Sequence, residues 1–316
     1  MSQPVTAELR VFLEGINQLI RQRELAGEEM TVELARAGLN SLAQFSLPCQ
    51  SLARVEDRLL YLSDREIPLR IYDPAPDRRL PVVVFCHGGG HMCGSVALYD
   101  GICRRLAQTC QRLVVAVDYC LSPEFPYPAG LEDCMAVVEH LQEILEGRAW
   151  QRDALCLAGD SGGGTLATTV AYRCRQQGSA GVARLLLIYP SLDYTMSSAS
   201  MRVLGRGYLL ERSKIGWYFD HYLQHGEDRR ALSPLFFQEP ECLPATLIMA
   251  AGLDPLVDEG RGFQQRLQRA GVHCERHVEE GLIHCFLNLE QLLPARMPGI
   301  YARMAHFLGQ PHVRAG

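Results

Sequence analysis

The sequence predicts an α/β fold, with a mostly parallel central sheet flanked by helices and a helical cap. Three observations carry that prediction. From residue 81 onward, short β-rich apolar runs alternate with helical stretches, the rhythm of a parallel sheet covered on both faces. A glycine-rich turn, Gly159-Asp160-Ser161-Gly162-Gly163, stands between one such run and a helical stretch. One interval, 195–240, breaks the rhythm with aromatic residues (Tyr208, Trp217, Tyr218, Phe219, Tyr222) and no sheet-like run. A structureless loop of that length is uncommon in a compact domain, so it reads as a helical insertion.

The first 45 residues read as helical, because Leu9, Phe12, Leu13, Ile16, Leu19 and Ile20 recur at helical spacing. A second helix begins near Thr31-Val32-Glu33-Leu34. Residues 51–73 alternate as two strands, with Asp64-Arg65-Glu66 as the turn of a hairpin. Strands are then expected over 82–85, 113–117, 154–158, 185–189, 246–251 and 273–278. Helices are expected over 98–110, 128–145, 163–176, 256–270 and 295–308. This divides the chain into an N-terminal helical cap segment (1–50) and a catalytic domain (51–316) with a cap insertion at about 195–240.

The 316 residues suffice for a large core. Apolar residues make up 47% and charged residues 21%, with a net charge of −5, so nothing points to nucleic acid or an anionic membrane. Lys214 is the only lysine and reads as a compositional bias without functional meaning. The 12 cysteines include no C-x-x-C pair and no zinc-like spacing, so they read as free thiols in a reducing compartment. Residues 1–14 lack a signal-peptide core, and no run of 18 apolar residues occurs. A cytoplasmic location without membrane association is expected.

The chemistry is concentrated on four loops. Ser161 occupies the centre of G-x-S-x-G between a strand and a helix, the context in which that motif presents a nucleophile. Taken alone, it could also be a phosphate-binding turn, but neither G-x-G-x-x-G nor a P-loop lysine is present. The run ending at Cys86 leads into His87-Gly88-Gly89-Gly90-His91. Its backbone N–H groups could approach a developing oxyanion without side-chain interference. Asp254 follows the strand at 246–251 and His284 follows the strand at 273–278, giving the chain order Ser, Asp, His. Asp258 reads as a support of the following helix, and His273 and His277 as strand-face residues. In this reading Ser161 is the nucleophile, His284 the general base and Asp254 the residue that orients it. No metal or organic cofactor is required.

With these motifs in place, the sequence resembles the hormone-sensitive-lipase branch of the α/β-hydrolases, and among them bacterial acetyl esterases. Asp118-Tyr119-Cys120-Leu121-Ser122-Pro123-Glu124, Tyr189-Pro190 and Asp254-Pro255-Leu256-Val257-Asp258 add to the match, which runs from about Val55 to Leu308. The resemblance implies an α/β-hydrolase fold and hydrolysis of short-chain esters. It assigns Ser161, Asp254 and His284 as the triad and Gly89, Gly90 and Gly162 as oxyanion donors. His87, Gly88, Glu124 and Asp160 take supporting places. Three positions depart from the family pattern: Gly162 where alanine is usual, His91 where an aromatic is common, and Cys285 where a small residue is usual. His91 would make the pocket mouth more polar.

The expected partner is a small-molecule ester, and a homodimer stays open. The same triad could cleave amides, as a deacetylase or formamidase does. Members of this branch that have lost the histidine act as binding proteins, a role that retention of all three residues opposes. A metal hydrolase built on His87, His91 and His284 is the least supported alternative.

Overall fold

The computed structural model describes residues 5–48, 51–179 and 181–310. One sheet holds eight strands: β1 (Arg54–Tyr61), β2 (Glu66–Asp73), β3 (Leu80–Cys86), β4 (Leu113–Val117), β5 (Trp150–Asp160), β6 (Val182–Ile188), β7 (Ala245–Leu253) and β8 (Cys274–Ile283). Their order is β1-β2-β4-β3-β5-β6-β7-β8. β2 alone points against the rest, being antiparallel to β1 and to β4, and the other pairs are parallel. The chain is thus an α/β protein with a mostly parallel sheet.

Alternation along the strands builds two core layers. Val83 and Phe85 of β3 face α3 (Asp100–Cys110) and α11 (Met297–Gly309), joining one apolar cluster with Ile102, Leu106, Met304 and Phe307. Val82, Val84 and Cys86 join the opposite cluster. Its helices are α4 (Ala129–Glu139), α5 (Leu141–Ile144), α6 (Gly162–Gln176) and α10 (Val257–Arg269). Burial on both faces is why these strands are near-continuous apolar runs.

The N-terminal segment forms α1 (Ala7–Ala26) and α2 (Val32–Asn40). Gly27 ends α1 in the left-handed region, and the Thr31 side chain caps α2 by accepting from the Leu34 N–H at 3.2 Å. Between β6 and β7 lie α7 (Ala199–Val203), α8 (Arg212–Tyr222) and α9 (Arg229–Leu232). Asn17 of α1 donates to the Gly207 carbonyl at 3.0 Å, and Arg206 pairs with Glu24 at 3.1 Å, so α1 is tied to this insertion.

Two elements differ from the sequence expectation. The helix expected over 128–145 breaks at His140, whose backbone (φ −95°, ψ 14°) leaves the helical region between α4 and α5. Leu141 and Ile144 then turn into the core. Strand β8 runs five residues beyond 278, because its pairing with β7 continues across an irregularity to Leu253–Ile283. The polar Glu279-Glu280-Gly281 looked like a loop. Glu279 is instead buried and pairs with Arg296 at 2.8 Å and Arg303 at 3.4 Å. Among the described residues no helix is long and apolar enough to cross a membrane, and every cysteine is a free thiol.

A buried ion pair anchors the segment after β8. Arg105 of α3 donates from Nε to Glu290 Oε1 at 2.6 Å, and the Tyr301 hydroxyl donates to the same oxygen at 3.0 Å. Glu290 has no exposed surface. Removing one partner of such a pair leaves an uncompensated charge, at a cost of about 3–5 kcal/mol. Arg105→Met is therefore expected to lower the urea unfolding free energy by that amount. A loss below about 1 kcal/mol would mean that Glu290 finds other compensation.

Candidate active site

The turn from β5 into α6 forces Ser161 into an unusual backbone conformation, φ 51° and ψ −123°. The flanking glycines make the turn possible. A Cβ on Gly159 would collide with the Gly163 carbonyl, and one on Gly163 would collide with the carbonyls of Cys86 and His87. The turn therefore packs directly on the end of β3, which only glycine allows. The strain is held by the Ser161 N–H donating to the Ile188 carbonyl at 3.0 Å and the Ser191 N–H donating to the Ser161 carbonyl at 3.1 Å.

The C-terminal ends of β5, β7 and β8 bring Ser161, Asp254 and His284 together. Asp254 follows β7, and His284 follows β8 directly. His284 Nε2 lies 2.9 Å from Ser161 Oγ, and Nδ1 lies 2.7 Å from Asp254 Oδ2. The other Asp254 oxygen accepts from the Leu256 N–H at 2.8 Å. All three side chains are buried, Ser161 the least so at 9% exposure. Burial is the largest single influence and opposes the charged imidazole, but the charge and hydrogen bond of Asp254, together with Cys285, outweigh it and raise His284 well above the ordinary 6.5. Asp258, in the first turn of α10, instead accepts from the Ser200 N–H at 2.9 Å and pairs with Arg261.

The glycine loop after β3 faces this row. Gly89 (φ 128°) and Gly90 (φ 63°) adopt conformations that favour glycine. Their amides have no acceptor among the described residues. Gly162 opens α6, where the first N–H groups of a helix have no intrahelical partner. A Cβ on Gly162 would sit 3.4 Å from the Gly90 N and Cα atoms, so the two backbones nearly touch. Donors from two segments thus converge beside Ser161. The Gly88 amide is already committed, donating to Asp160 Oδ1 at 2.6 Å.

The remaining candidates support this loop. Asp160 Oδ2 accepts from the Tyr99 hydroxyl at 2.9 Å, and burial pushes the carboxyl up to about 6. His87 is buried between Tyr119 (4.4 Å between centroids) and Tyr99 (5.5 Å). Glu124 lies at the surface and does not touch the row. It accepts from Arg36 of α2 at 2.6 and 2.8 Å, while Arg36 Nε donates to the Met92 carbonyl at 3.0 Å. This clamp fixes α2 over the glycine loop.

His91 corrects one expectation. Its ring does not make a polar pocket mouth but is buried. It stacks on Tyr222 at 3.9 Å, and its Nε2 lies 3.1 Å from the Tyr194 hydroxyl. Burial pushes it down to about 3, so it is a neutral packing residue at physiological pH. The rings of His87, His91 and His284 are thus engaged in separate contacts. Sequence reasoning also missed the ring of Tyr218, against which a Gly90 Cβ would collide at 2.6 Å. The aromatic run in the insertion was the available signal, but its spacing gave no contact partner.

The chain matches a family model described as the α/β-hydrolase fold over residues 83–288. The carboxylic ester hydrolase LipN of Mycobacterium tuberculosis is 35% identical over 241 residues, which cover 72% of this chain and 62% of LipN. The ethyl acetate hydrolase of Pseudomonas putida is 31% identical over 240 residues, 74% of this chain and 76% of that protein. The solved structure of the ester hydrolase EH1AB1, from the metagenome of Lake Arreo and in complex with a bipyridine phosphonate derivative, has a TM-score of 0.88. It is 30% identical and covers 96% of this chain and 98% of that one.

Proposed function

The chain belongs to the α/β-hydrolase family, in its hormone-sensitive-lipase branch, and from that premise we propose that it is a serine carboxylesterase acting on short-chain acyl esters, acetyl to about octanoyl. One observation carries the reading: the unbroken hydrogen-bonded row Asp254–His284–Ser161 with free glycine amides beside it.

In this reading His284 Nε2 takes the proton of Ser161 as Oγ attacks the acyl carbon. Asp254 holds the tautomer with a proton on Nδ1 and stabilises the imidazolium. The carbonyl oxygen becomes an alkoxide facing the N–H groups of Gly89, Gly90 and Gly162, which need no rearrangement to bind it. His284 then protonates the departing alcohol. Water, deprotonated by the same nitrogen, releases the acid from the acyl-enzyme. The N-terminal helices and the insertion between β6 and β7 act as the cap over this row. The free thiols favour a reducing, cytoplasmic setting.

The short-chain preference rests on the resemblance to acetyl esterases, on the name of the Pseudomonas putida relative, and on the crowding of Tyr218 against Gly90. Hydrolysis of 4-nitrophenyl esters from acetate to palmitate tests it. The expected kcat/KM peaks at eight carbons or fewer and falls by about tenfold or more at palmitate, roughly the discrimination one or two misplaced methylenes can supply. A maximum at palmitate would overturn the chain-length assignment and leave the serine mechanism standing.

A further inference from the structure

Helix α8 carries the chain's only lysine. The side chain of Lys214 is half-buried, and its Nζ lies 5.6 Å from the centre of the Tyr218 ring, one turn further on. That distance suits a cation over an aromatic face. The same ring abuts Gly90 of the glycine loop, and its hydroxyl lies 3.7 Å from Cys93 Sγ. Lys214 is therefore linked, through the Tyr218 ring, to the glycine loop.

Apart from the Tyr218 ring, its charge has no anionic partner among the described residues. Among the described residues no carboxylate lies within 4.0 Å of Nζ, whereas arginines such as Arg36, Arg65 and Arg70 are each paired. Glu211 acts on Lys214 only through space, with its Oε1 accepting from the Gly207 N–H at 3.3 Å. Arg23 turns to Glu28 at 3.6 Å. Burial pulls Lys214 below the ordinary lysine range. A half-buried cation without a counter-charge is costly to keep unless something supplies the anion. Methionine or leucine would fill the same helical position without that cost.

We propose that Lys214 forms an anion subsite on the Tyr218 side of the glycine loop that binds a carboxylate carried by the substrate away from the scissile bond. The preferred substrates are then acidic esters, such as half-esters of dicarboxylic acids or acyl esters of hydroxy acids. This rests on the serine-esterase reading above and narrows its substrate class. A carboxylate that reaches the half-buried Lys214 meets it in a partly desolvated setting, where charge-assisted hydrogen bonds are stronger than at an open surface.

Two matched pairs test it. 4-Nitrophenyl hydrogen glutarate against 4-nitrophenyl pentanoate places the anion on the acyl side. 4-Acetoxybenzoate against 4-methylphenyl acetate places it on the leaving group. The wild type is expected to favour the acidic ester by about tenfold in kcat/KM in one pair, roughly one charge-assisted contact. Lys214→Met should abolish that ratio through KM, Lys214→Arg should keep most of it, and about 1 M salt should shrink it. A ratio at or below one in both pairs overturns the subsite, as does a ratio that Lys214→Met leaves unchanged. Should Lys214→Met fold poorly, Lys214→Gln and the wild-type salt dependence decide the same question. If the neutral esters turn over while the ratio ignores Lys214, the esterase reading survives and the subsite falls. If the wild type cleaves none of the four esters, both fall.

Discussion

Ser161→Ala is expected to lower kcat on a 4-nitrophenyl ester of two to four carbons on the order of 10⁶-fold, the scale seen when the serine of a catalytic triad is removed. The loss should fall on kcat, because the oxygen that bonds to the acyl carbon is gone while the amides of Gly89, Gly90 and Gly162 remain. Folding should be nearly untouched. Among the described residues the Ser161 hydroxyl has one hydrogen-bond partner, His284 Nε2 at 2.9 Å, and the strained turn is held by backbone bonds to Ile188 and Ser191 that alanine preserves. A thermal melt within about 1 kcal/mol of wild type, set beside the lost burst of nitrophenolate, separates chemistry from stability. Retention of a tenth of the wild-type kcat would remove Ser161 from the nucleophile's place.

Most of the sheet was legible because its strands are buried on both faces. Residues such as 82–85 and 113–117 are apolar without interruption, and glycine-rich or acidic turns end them. The strand boundary that failed lies where a polar residue is buried by pairing. Glu279 looked like a loop residue because sequence alone cannot supply Arg296 and Arg303 across the fold. The positions of Ser161, Asp254 and His284 were legible from order and strand context, but their separations come from the register of β5, β7 and β8.

The two departures at Gly162 and His91 seemed independent in the sequence, and in the fold they are neighbours. A Cβ at residue 162 would approach His91 Cε1 to 3.3 Å. An alanine there would press on a ring already fixed by Tyr222 and Tyr194. Glycine at one position thus accommodates histidine at the other, and the glycine loop keeps its close backbone approach to residue 162. Contacts of this kind are tertiary, and no local spacing announces them.

Asp254→Asn is expected to lower kcat by about 10⁴-fold, and the reason lies in the hydrogen-bond directions. One Asp254 oxygen must accept from the Leu256 N–H at 2.8 Å, so an asparagine would place its carbonyl there and turn its NH₂ toward His284 Nδ1. Nδ1 would then have to accept, the ring proton would move to Nε2, and Nε2 could no longer take the proton of Ser161. The pH profile should change as well. His284 acts as base only when neutral. Because Asp254 raises its pKa above 6.5, the acid limb of wild-type kcat/KM should lie above pH 6.5. Without that carboxylate charge, burial, the largest influence on the ring, pulls the imidazole down, and the residual activity should show its acid limb at lower pH than the wild type. Asp258→Asn is the control. Asp258 serves Ser200 and Arg261 at the start of α10, so its loss should cost about 1 kcal/mol of stability and less than tenfold in kcat. If Asp258→Asn produced the 10⁴-fold loss while Asp254→Asn kept both its rate and its acid limb, the orienting carboxylate would be Asp258.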